Sequence, residues 1–495
     1  MVKKIYIIGI SQCFDTFSGE NYKDKIKTAI KKIGYFDTIF ARKIDLNLIE
    51  DIKKADGKFK NSINKAVVLY DSKIKFIIKY LKENTGKKNI LILAGGDPNF
   101  FGVGGTVLKN VDKNFVEIYP SVSFAQIAFL RLKIPMEDSI IVSLHGRSMK
   151  NLFSPLYSSK NIGLFTDDYN NPARIYDFLE EKGFRNDFNF HVLSNLCEKD
   201  EEIYSVNSSL INLNDDNDKD NSKDKTKDKG KGGSKGKDVS IFSGKSSSAA
   251  ENSDLNKIHL ERFTGRKNIV ILERKSGSEE TADGIKTAGR ITGFEDEDFF
   301  HADGEPTKKE IRAVSLSMLE LRKDLIMIDA GCGSGSISIE ASGIVSEGVV
   351  YAIDKDSAKI KNLKKNIKKF KRPNIEPILG KLPDVLNEIK DKPDGKLIIP
   401  DRIFIGGGSF LMENILKTSF KILKINGIIV VNCIMLDSFN RVMLFLKHLE
   451  NRDPFLLKFE IISLSVSKLK TISNDYYFKA LNQIYLIKIL KLKDF

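Results

Sequence analysis

Between Met327 and Glu340 the chain reads Met-Ile-Asp-Ala-Gly-Cys-Gly-Ser-Gly-Ser-Ile-Ser-Ile-Glu. An apolar run ends in an acid, a G-x-G-x-G turn follows, and a helix-periodic stretch starts at once. Glycines are required where a backbone bends sharply and a ligand approaches where a Cβ would otherwise stand. The helix that follows offers its free N–H groups to an anionic group. Nineteen residues after Gly335 the next strand-like run, Val349–Asp354, also ends in an acid, placed to hold a ribose diol as in dinucleotide folds. This order of strand, glycine turn, helix and strand predicts a doubly wound α/β sheet. It puts Asp329, Gly331, Cys332, Gly333, Ser334, Gly335 and Asp354 at the ligand edge of that sheet.

The spacing is not the G-x-G-x-x-G of dinucleotide sites, and Asp329 stands two residues before the first glycine. A carboxylate there would repel a pyrophosphate but suits the amino group of a methionine-type ligand. That favours S-adenosylmethionine (SAM) over NAD, with a dinucleotide site and a plain structural turn as the alternatives. Cys332 has no base near it in sequence and reads as a small filler. The motif resembles the class I SAM-dependent methyltransferases. Further strands are expected at Leu325–Asp329, Ile375–Leu379, Ile403–Ile405, Ile428–Asn432, Phe459–Val466 and Gln483–Ile489. Five β/α units closed by a final pair of strands outline a seven-stranded Rossmann-like sheet.

Upstream, Thr307 with Glu310 three residues later is either a plain capping box at a helix start or a ligand-facing segment. Downstream, the run from Pro400 to Gly408 ends the fourth strand where such folds bind substrate, and puts Gly406 and Gly407 there. The N-P-P-Y or D-P-P-Y tetrad of amino-methylases is absent, which argues against methylation of a nucleic-acid base. Pro306-Thr307-Lys308, the glycine loop, Asp354, Gly380 and Phe404-Ile405-Gly406-Gly407 together resemble the C-terminal half of the precorrin-6Y C5,15-methyltransferase (decarboxylating) family of cobalamin biosynthesis. The resemblance spans nearly all of residues 291–495.

The first half also alternates strand and helix signals, with strands expected at Ile5–Ile10, Asn89–Ala94, Phe115–Tyr119, Ser139–Leu144, Asn161–Thr166, Asn189–Leu193 and Asn268–Arg274. Helices are expected at Phe124–Leu132 and Ala173–Lys182. Gly95-Gly96-Asp97-Pro98 is a ligand-approach turn or simply a tight one. Ser143-Leu144-His145-Gly146-Arg147 is a surface turn or a site whose arginine takes a carboxylate bidentately. In combination, Gly9, Gly96-Asp97-Pro98, Pro120-Ser121-Val122-Ser123, Ser143–Arg147, and Thr166-Asp167 before Asn171-Pro172 resemble the tetrapyrrole (corrin and porphyrin) methylase family. The resemblance implies two α/β lobes with SAM in the cleft between them. It implies a cofactor site at Gly9, Gly96, Asp97, Ser123 and Thr166, and substrate contacts at His145 and Arg147. The first loop, Gly9-Ile10-Ser11-Gln12-Cys13, departs from the family's Gly-x-Gly-Pro-Gly turn.

From Asn212 to about Lys257 the sequence becomes a Lys/Asp/Gly/Ser tract that cannot bury enough apolar surface to offset ordering. The strand-like Asn268–Arg274 beyond it makes the tract an expected disordered insertion in a late hairpin rather than a linker. The expected domains are therefore 1–274 with that insertion, a linker over 275–290, and 291–495. Four scattered cysteines without a C-x-x-C pair fit a reducing cytosol and argue against a disulfide framework or a zinc site. No metal is expected. The N-terminal apolar stretch is too short for a signal peptide, and no run is long enough to span a bilayer, so a cytoplasmic protein without membrane contact is expected.

The formal charge of +14 reflects either a lysine-biased proteome or a polyanionic ligand. Lysines interleaved with acids and the lack of arginine-rich blocks argue against nucleic acid. The two resemblances imply a bifunctional enzyme with two SAM sites, acting on a polycarboxylated tetrapyrrole of precorrin-6B type. The C-terminal module would methylate carbon 15 and decarboxylate the carbon-12 acetate, and the N-terminal module would methylate carbon 5. A homo-oligomer is expected. An RNA methyltransferase built on the class I domain and a non-catalytic binding scaffold are the other readings.

Overall fold

The computed structural model describes residues 3–10, 36–43, 46, 49–50, 67–69, 74–198, 200–206, 256–276, 290–301, 306–389, 395, 397–406, 409–472 and 475–494. The 212–255 part of the expected insertion, Ser11 to Cys13 of the first loop, most of the expected linker and Gly407 lie outside these residues. Packing divides the chain into two compact units. One comprises Met1–His145, Asn161–Ala173 and Phe190–Glu273, and the other Gly146–Lys160, Arg174–Asn189 and Arg274–Phe495.

In the first unit, β1 (Ile5–Ile10), β2 (Thr38–Ala41), β3 (Val67–Leu69), β4 (Ile90–Gly95) and β5 (Val116–Tyr119) form a parallel sheet of order β3-β2-β4-β1-β5. Its core lies on both faces. Ile5, Ile7, Ile90 and Ile92 enter one apolar cluster, and Tyr6, Ile8, Leu91 and Leu93 the other. Parallel strands buried on both sides need such unbroken apolar runs. A second sheet contains β6 (Ser139–Ser143), β7 (Asn161–Phe165), β8 (Phe188–Ser194), β9 (Glu202–Ser205) and β10 (Asn268–Arg274), in the order β6-β7-β10-β8-β9. The Asn268–Arg274 strand is present as expected and runs antiparallel to β7. The hairpin expectation is corrected, however. β9 pairs with β8, while β10 inserts between β7 and β8, so the tract links an edge strand to an interior one.

The second unit carries a seven-stranded sheet. It is built from β11 (Ile326–Ala330), β12 (Val349–Asp354), β13 (Ile375–Leu379), β14 (Arg402–Ile405), β15 (Ile428–Cys433), β16 (Leu457–Leu464) and a later strand, β19 (Ile484–Lys491). Between the last two stands a separate hairpin, β17 (Ser467–Ile472) with β18 (Asp475–Ala480), which sequence reasoning missed. The order is β13-β12-β11-β14-β15-β19-β16, with β11 to β15 parallel and β19 antiparallel to both its neighbours. Successive residues point to opposite faces. Ile328, Tyr351, Ile353, Ile403, Ile405 and Val431 pack under helices Met412–Ile422 and Leu436–Arg452. Met327, Val350, Ala352, Phe404 and Val430 pack under Lys309–Met318, Ser336–Ile344 and Ser357–Lys369. With helices on both faces, the carboxyl edge of the parallel strands is the open side.

Candidate functional site

At that edge a cavity of about 660 Å³ is lined by the ends of β11 to β15 and the start of β19. Its walls include Thr307, Gly331, Cys332, Gly333, Ser334, Asp354, Gly380 and Gly406, so eight of the residues singled out from sequence converge on one space. The loop is held from below by the sheet. Gly331 and Cys332 both donate to the Ile353 carbonyl at 2.9 Å, and Gly406 donates to the Ala330 carbonyl at 3.1 Å. The Asp354 carboxylate accepts from the Gly333 amide and from the Asp356 amide, each at 3.0 Å. The acid that ends β12 thereby fixes the glycine loop and still faces the cavity.

Gly331, Gly333 and Gly335 all have positive φ, at 80°, 58° and 85°. Gly335 is not in the cavity wall. It caps the helix Ser336–Ile344, and a Cβ there would run into Leu363 Cδ1, so its role is close packing of helix on helix. Cys332 is a half-buried cysteine outside any disulfide, packed against the core, in keeping with a filler.

Asp329 lies beneath the loop rather than in the wall, 1% exposed. Its Oδ2 accepts from Ser338 Oγ at 2.5 Å, whereas Oδ1 has no hydrogen-bond partner. Burial pushes this carboxyl up to about 7, the Ser338 bond opposing and the Asp354 charge adding to the rise. An orphaned carboxyl oxygen beneath the glycine loop fits a ligand that brings an ammonium group, as SAM does. The unfolded chain ionises Asp329 near its ordinary value, so the native state keeps a proton that the unfolded state loses. Its contribution therefore makes stability fall as pH rises from about 4 to about 7. Asp329→Asn is expected to gain stability relative to the parent across that window and to show no gain below it. Parallel melting-temperature curves for the two proteins would show that Asp329 is already ionised in the fold.

The capping-box reading at Thr307 is corrected. The helix N-cap is Lys308, whose side chain makes no capping bond, and Glu310 pairs instead with Lys468 at 3.0 Å. Thr307 faces the cavity, which leaves the ligand-facing alternative. Its carbonyl accepts from Arg312 Nη1 at 2.5 Å. Arg312 is wholly buried and also donates to Asp296 Oδ1 at 2.8 Å, Glu340 Oε1 at 3.0 Å and the Phe294 carbonyl. Glu340 belongs to the helix that starts at the glycine loop, so one guanidinium ties the cavity lip to the cavity floor. Asn366 repeats the tie. Its Nδ2 donates to the Ser334 carbonyl at 2.8 Å and to the Phe300 carbonyl at 3.0 Å, and its Oδ1 accepts from the Phe300 amide at 2.8 Å.

Sequence reasoning missed Arg312, Asn366 and Asn432, the last a wall residue at the end of β15. The signal for Asn366 was a polar residue inside the apolar stripe Ile360, Leu363, Ile367. For Asn432 it was a polar side chain near the end of a strand buried throughout.

The first unit brings together part of its predicted set. At Gly9 a Cβ would stand 2.7 Å from both the Gly96 carbonyl oxygen and Ser121 Cβ, so the ends of β1, β4 and β5 converge closely. Gly96 has φ 67°, and Asp97 accepts from the Asn99 amide at 2.8 Å. Phe101, in the same loop, lies with its ring 5.5 Å from that of Phe165, which adjoins Thr166. The hydroxyl of Thr166 donates to the Asn268 carbonyl at 3.0 Å. Ser123 is 3% exposed and committed to a capping box with Gln126. His145 and Arg147 are exposed beyond β6. Cys197 is disulfide-bonded, which runs against the reading of the scattered cysteines as evidence against disulfides; Cys433 is buried and outside any disulfide. Among the described residues, no cluster of three or more His, Cys, Asp or Glu could hold a metal, and no helix is long and apolar enough to cross a membrane.

The seven-stranded order, the antiparallel β19 and the glycine loop define a class I SAM-dependent methyltransferase module. The family model described as precorrin methyltransferase domain matches residues 298–473, and that of the tetrapyrrole (corrin/porphyrin) methylases matches residues 28–210. A protein of Sulfolobus acidocaldarius named probable cobalt-precorrin-6B C(15)-methyltransferase (decarboxylating) is 36% identical over 200 residues, 40% of this chain and 97% of the relative. A Sinorhizobium precorrin-6Y C(5,15)-methyltransferase (decarboxylating) is 25% identical over 348 residues, 70% of this chain and 69% of that protein. The crystal structure of a precorrin-6Y C5,15-methyltransferase from Geobacter metallireducens shares 32% identity, covering 41% of this chain and 97% of its own, with a TM-score of 0.36. Through its second half the chain belongs to the decarboxylating precorrin C15-methyltransferase family.

Proposed function

We propose that the chain is a bifunctional, decarboxylating C-methyltransferase of cobalamin biosynthesis, acting on a polycarboxylated precorrin-6B-type macrocycle. The C-terminal module, 291–495, methylates carbon 15 and removes the carbon-12 acetate carboxyl as CO2. The N-terminal module, 1–274 with the insertion at about 212–257, methylates carbon 5, and 275–290 links the two. The observation that carries this reading is the glycine-loop cavity, in a chain that pairs this module with a tetrapyrrole methylase region.

SAM, when bound, supplies an electrophilic methyl group on a sulfonium. In this reading the Asp354 carboxylate takes the ribose hydroxyls, and Asp329, beneath the glycine loop, takes the ammonium group. Gly331 to Ser334, Gly380 and Thr307 complete the cofactor end. Leu411, Ile415, Ile434 and Ile484 form an apolar end that excludes water around the reacting carbon, beside Gly406; Gly407 is assigned to the substrate as its sequence neighbour. The macrocycle does the rest: methylation makes the conjugated ring cationic. The bond from the acetate CH2 to its carboxylate then breaks, its electron pair neutralises the ring, and CO2 leaves without an oxidant. In the N-terminal module Gly9, Gly96, Asp97, Ser123 and Thr166 form the second cofactor site, and His145 and Arg147 meet substrate carboxylates.

The decisive experiment incubates the chain with SAM and the macrocycle and follows mass and CO2 together, with SAM stoichiometry by calorimetry. Two methyl additions, one CO2 and two bound SAM are expected. No CO2, or a stoichiometry near one, would refute the bifunctional reading. We place the enzyme in the cytoplasm, as a homo-oligomer. Support for the oligomer comes from the hairpin β17–β18, where Leu469, Ile472, Tyr476 and Phe478 are all more than half exposed. An isolated two-stranded hairpin is marginal in water, and apolar surface of this kind marks an interface. Sedimentation as a monomer would overturn it.

A further inference from the structure

Asn432 and Asn482 are the neutral amides in the wall of the glycine-loop cavity near its apolar end, and of the two Asn432 is the one with a buried, unpartnered oxygen. It stands one residue before the end of β15, in register with Leu486 of β19, and is 9% exposed. Its Oδ1 is buried with no hydrogen-bond partner. Buried acceptors in native proteins are nearly always satisfied, so a group brought by a ligand is the natural donor. The placement separates it from the cofactor residues. Those end β11, β12 and β13, whereas Asn432 ends β15, across β14 from the glycine loop, beside Ile434, Leu411 and Ile484.

We infer that Asn432 is a substrate-contacting residue of the C-terminal module, whose carboxamide oxygen accepts from a ring N–H of the bound tetrapyrrole. The inference rests on the macrocycle reading above and deepens it. A tetrapyrrole offers flat apolar faces, for which the isoleucine and leucine walls are suited, and an inner edge of N–H donors. The ammonium group and ribose hydroxyls of SAM are assigned to Asp329 and Asp354 on the glycine-loop side, so they make no demand on the Asn432 amide. A buried neutral acceptor without a protein partner discriminates strongly. A partner that lacks the donor leaves the amide buried and unpaired, so binding energy is lost without any steric conflict. Such a contact fixes which edge of the ring enters first, and thereby which carbon faces the methyl group.

The test uses the full chain with two variants, Asn432→Leu and Asn432→Asp, and reads CO2 release, which only the C-terminal module performs. Macrocycle is varied at saturating SAM, and then SAM at saturating macrocycle. Asn432→Leu has similar volume but no acceptor, and is expected to lower kcat/KM for the macrocycle by about ten- to a hundredfold while the KM for SAM stays within about twofold. Asn432→Asp keeps an acceptor and is expected to retain kcat/KM within about fivefold. An unchanged macrocycle KM in Asn432→Leu would overturn the inference in favour of an amide satisfied by water. A raised KM for SAM alone would move Asn432 to the cofactor end. Asn432→Asp failing as badly as Asn432→Leu would show that the amide donates to a carboxylate rather than accepting from a ring N–H. If the parent itself releases no CO2, the macrocycle reading falls, and this inference with it.

Discussion

Asp354→Ala is expected to weaken SAM binding to the C-terminal module by about 1.5 to 3 kcal/mol, one to two decades in affinity, and to stall both carbon-15 methylation and CO2 release. Two losses combine. The carboxylate proposed for the ribose hydroxyls goes, and the Gly333 amide that it holds at 3.0 Å is left without its acceptor. The contrasting variant is Asp97→Ala, in the turn after β4, where the carboxylate accepts from the Asn99 amide at 2.8 Å. That variant should still permit one methylation with CO2 loss and block only the second methylation. Mass spectrometry of the product and trapped CO2 distinguish the two cases. A reversed pattern would exchange the roles of the modules. Equal loss of CO2 in both variants would mean a single composite site.

The largest effect on stability should come from Arg312→Met, about 3 to 5 kcal/mol. The guanidinium is fully buried against Asp296 and against Glu340, itself 1% exposed. Deleting it strands one carboxylate deep in the fold and frees the backbone carbonyls of Thr307 and Phe294. Removing the charge on both sides should recover much of the loss, because a buried ion pair contributes little over a well-packed apolar pair, whereas a lone charge is costly. The prediction is therefore a large fall in denaturation free energy for Arg312→Met and a partial recovery for Arg312→Met combined with Glu340→Leu. A change below about 1 kcal/mol in the single variant would show that water reaches Glu340 and rescues it.

Legibility in the sequence followed the length of apolar runs. The longer parallel strands were readable because sheets covered on both faces need continuous apolar runs, as in Val349–Asp354 and Ile428–Cys433. The short β2 and β3 were missed, although β2 is buried throughout, because four and three residues carry too little pattern. The glycine loop was readable because backbone bends demand residues without a Cβ. The hairpin β17–β18 was not, since all of β18 is exposed and its pattern carries no inside-outside alternation. The place of β10 between β7 and β8 was equally hidden, because strand order is a long-range property that local pattern does not encode. At the site, residues that meet a ligand through the backbone were found by their glycines. The side chains that hold them in place, Arg312 and Asn366, look like ordinary helix residues until their acceptors are known. The capping box at Thr307 misled for the same reason, because Glu310 finds a stronger partner in Lys468, far along the chain.

The position of β19 between β15 and β16 sets an order in time as well as in space. A ribosome delivers β16 before β19, so the emerging β16 has no neighbour to pair with, and β15 keeps a bare edge until residues beyond 484 are free of the exit tunnel. The wall that Ile484 contributes to the cavity arrives with that same strand. The glycine-loop side of the cavity can therefore take shape while synthesis is still under way, but the side that Ile484 walls closes only when β19 slides into the gap. A nascent chain arrested before Ile484 should hold a partly formed cofactor end beside an open, adhesive sheet edge, the state most in need of a chaperone.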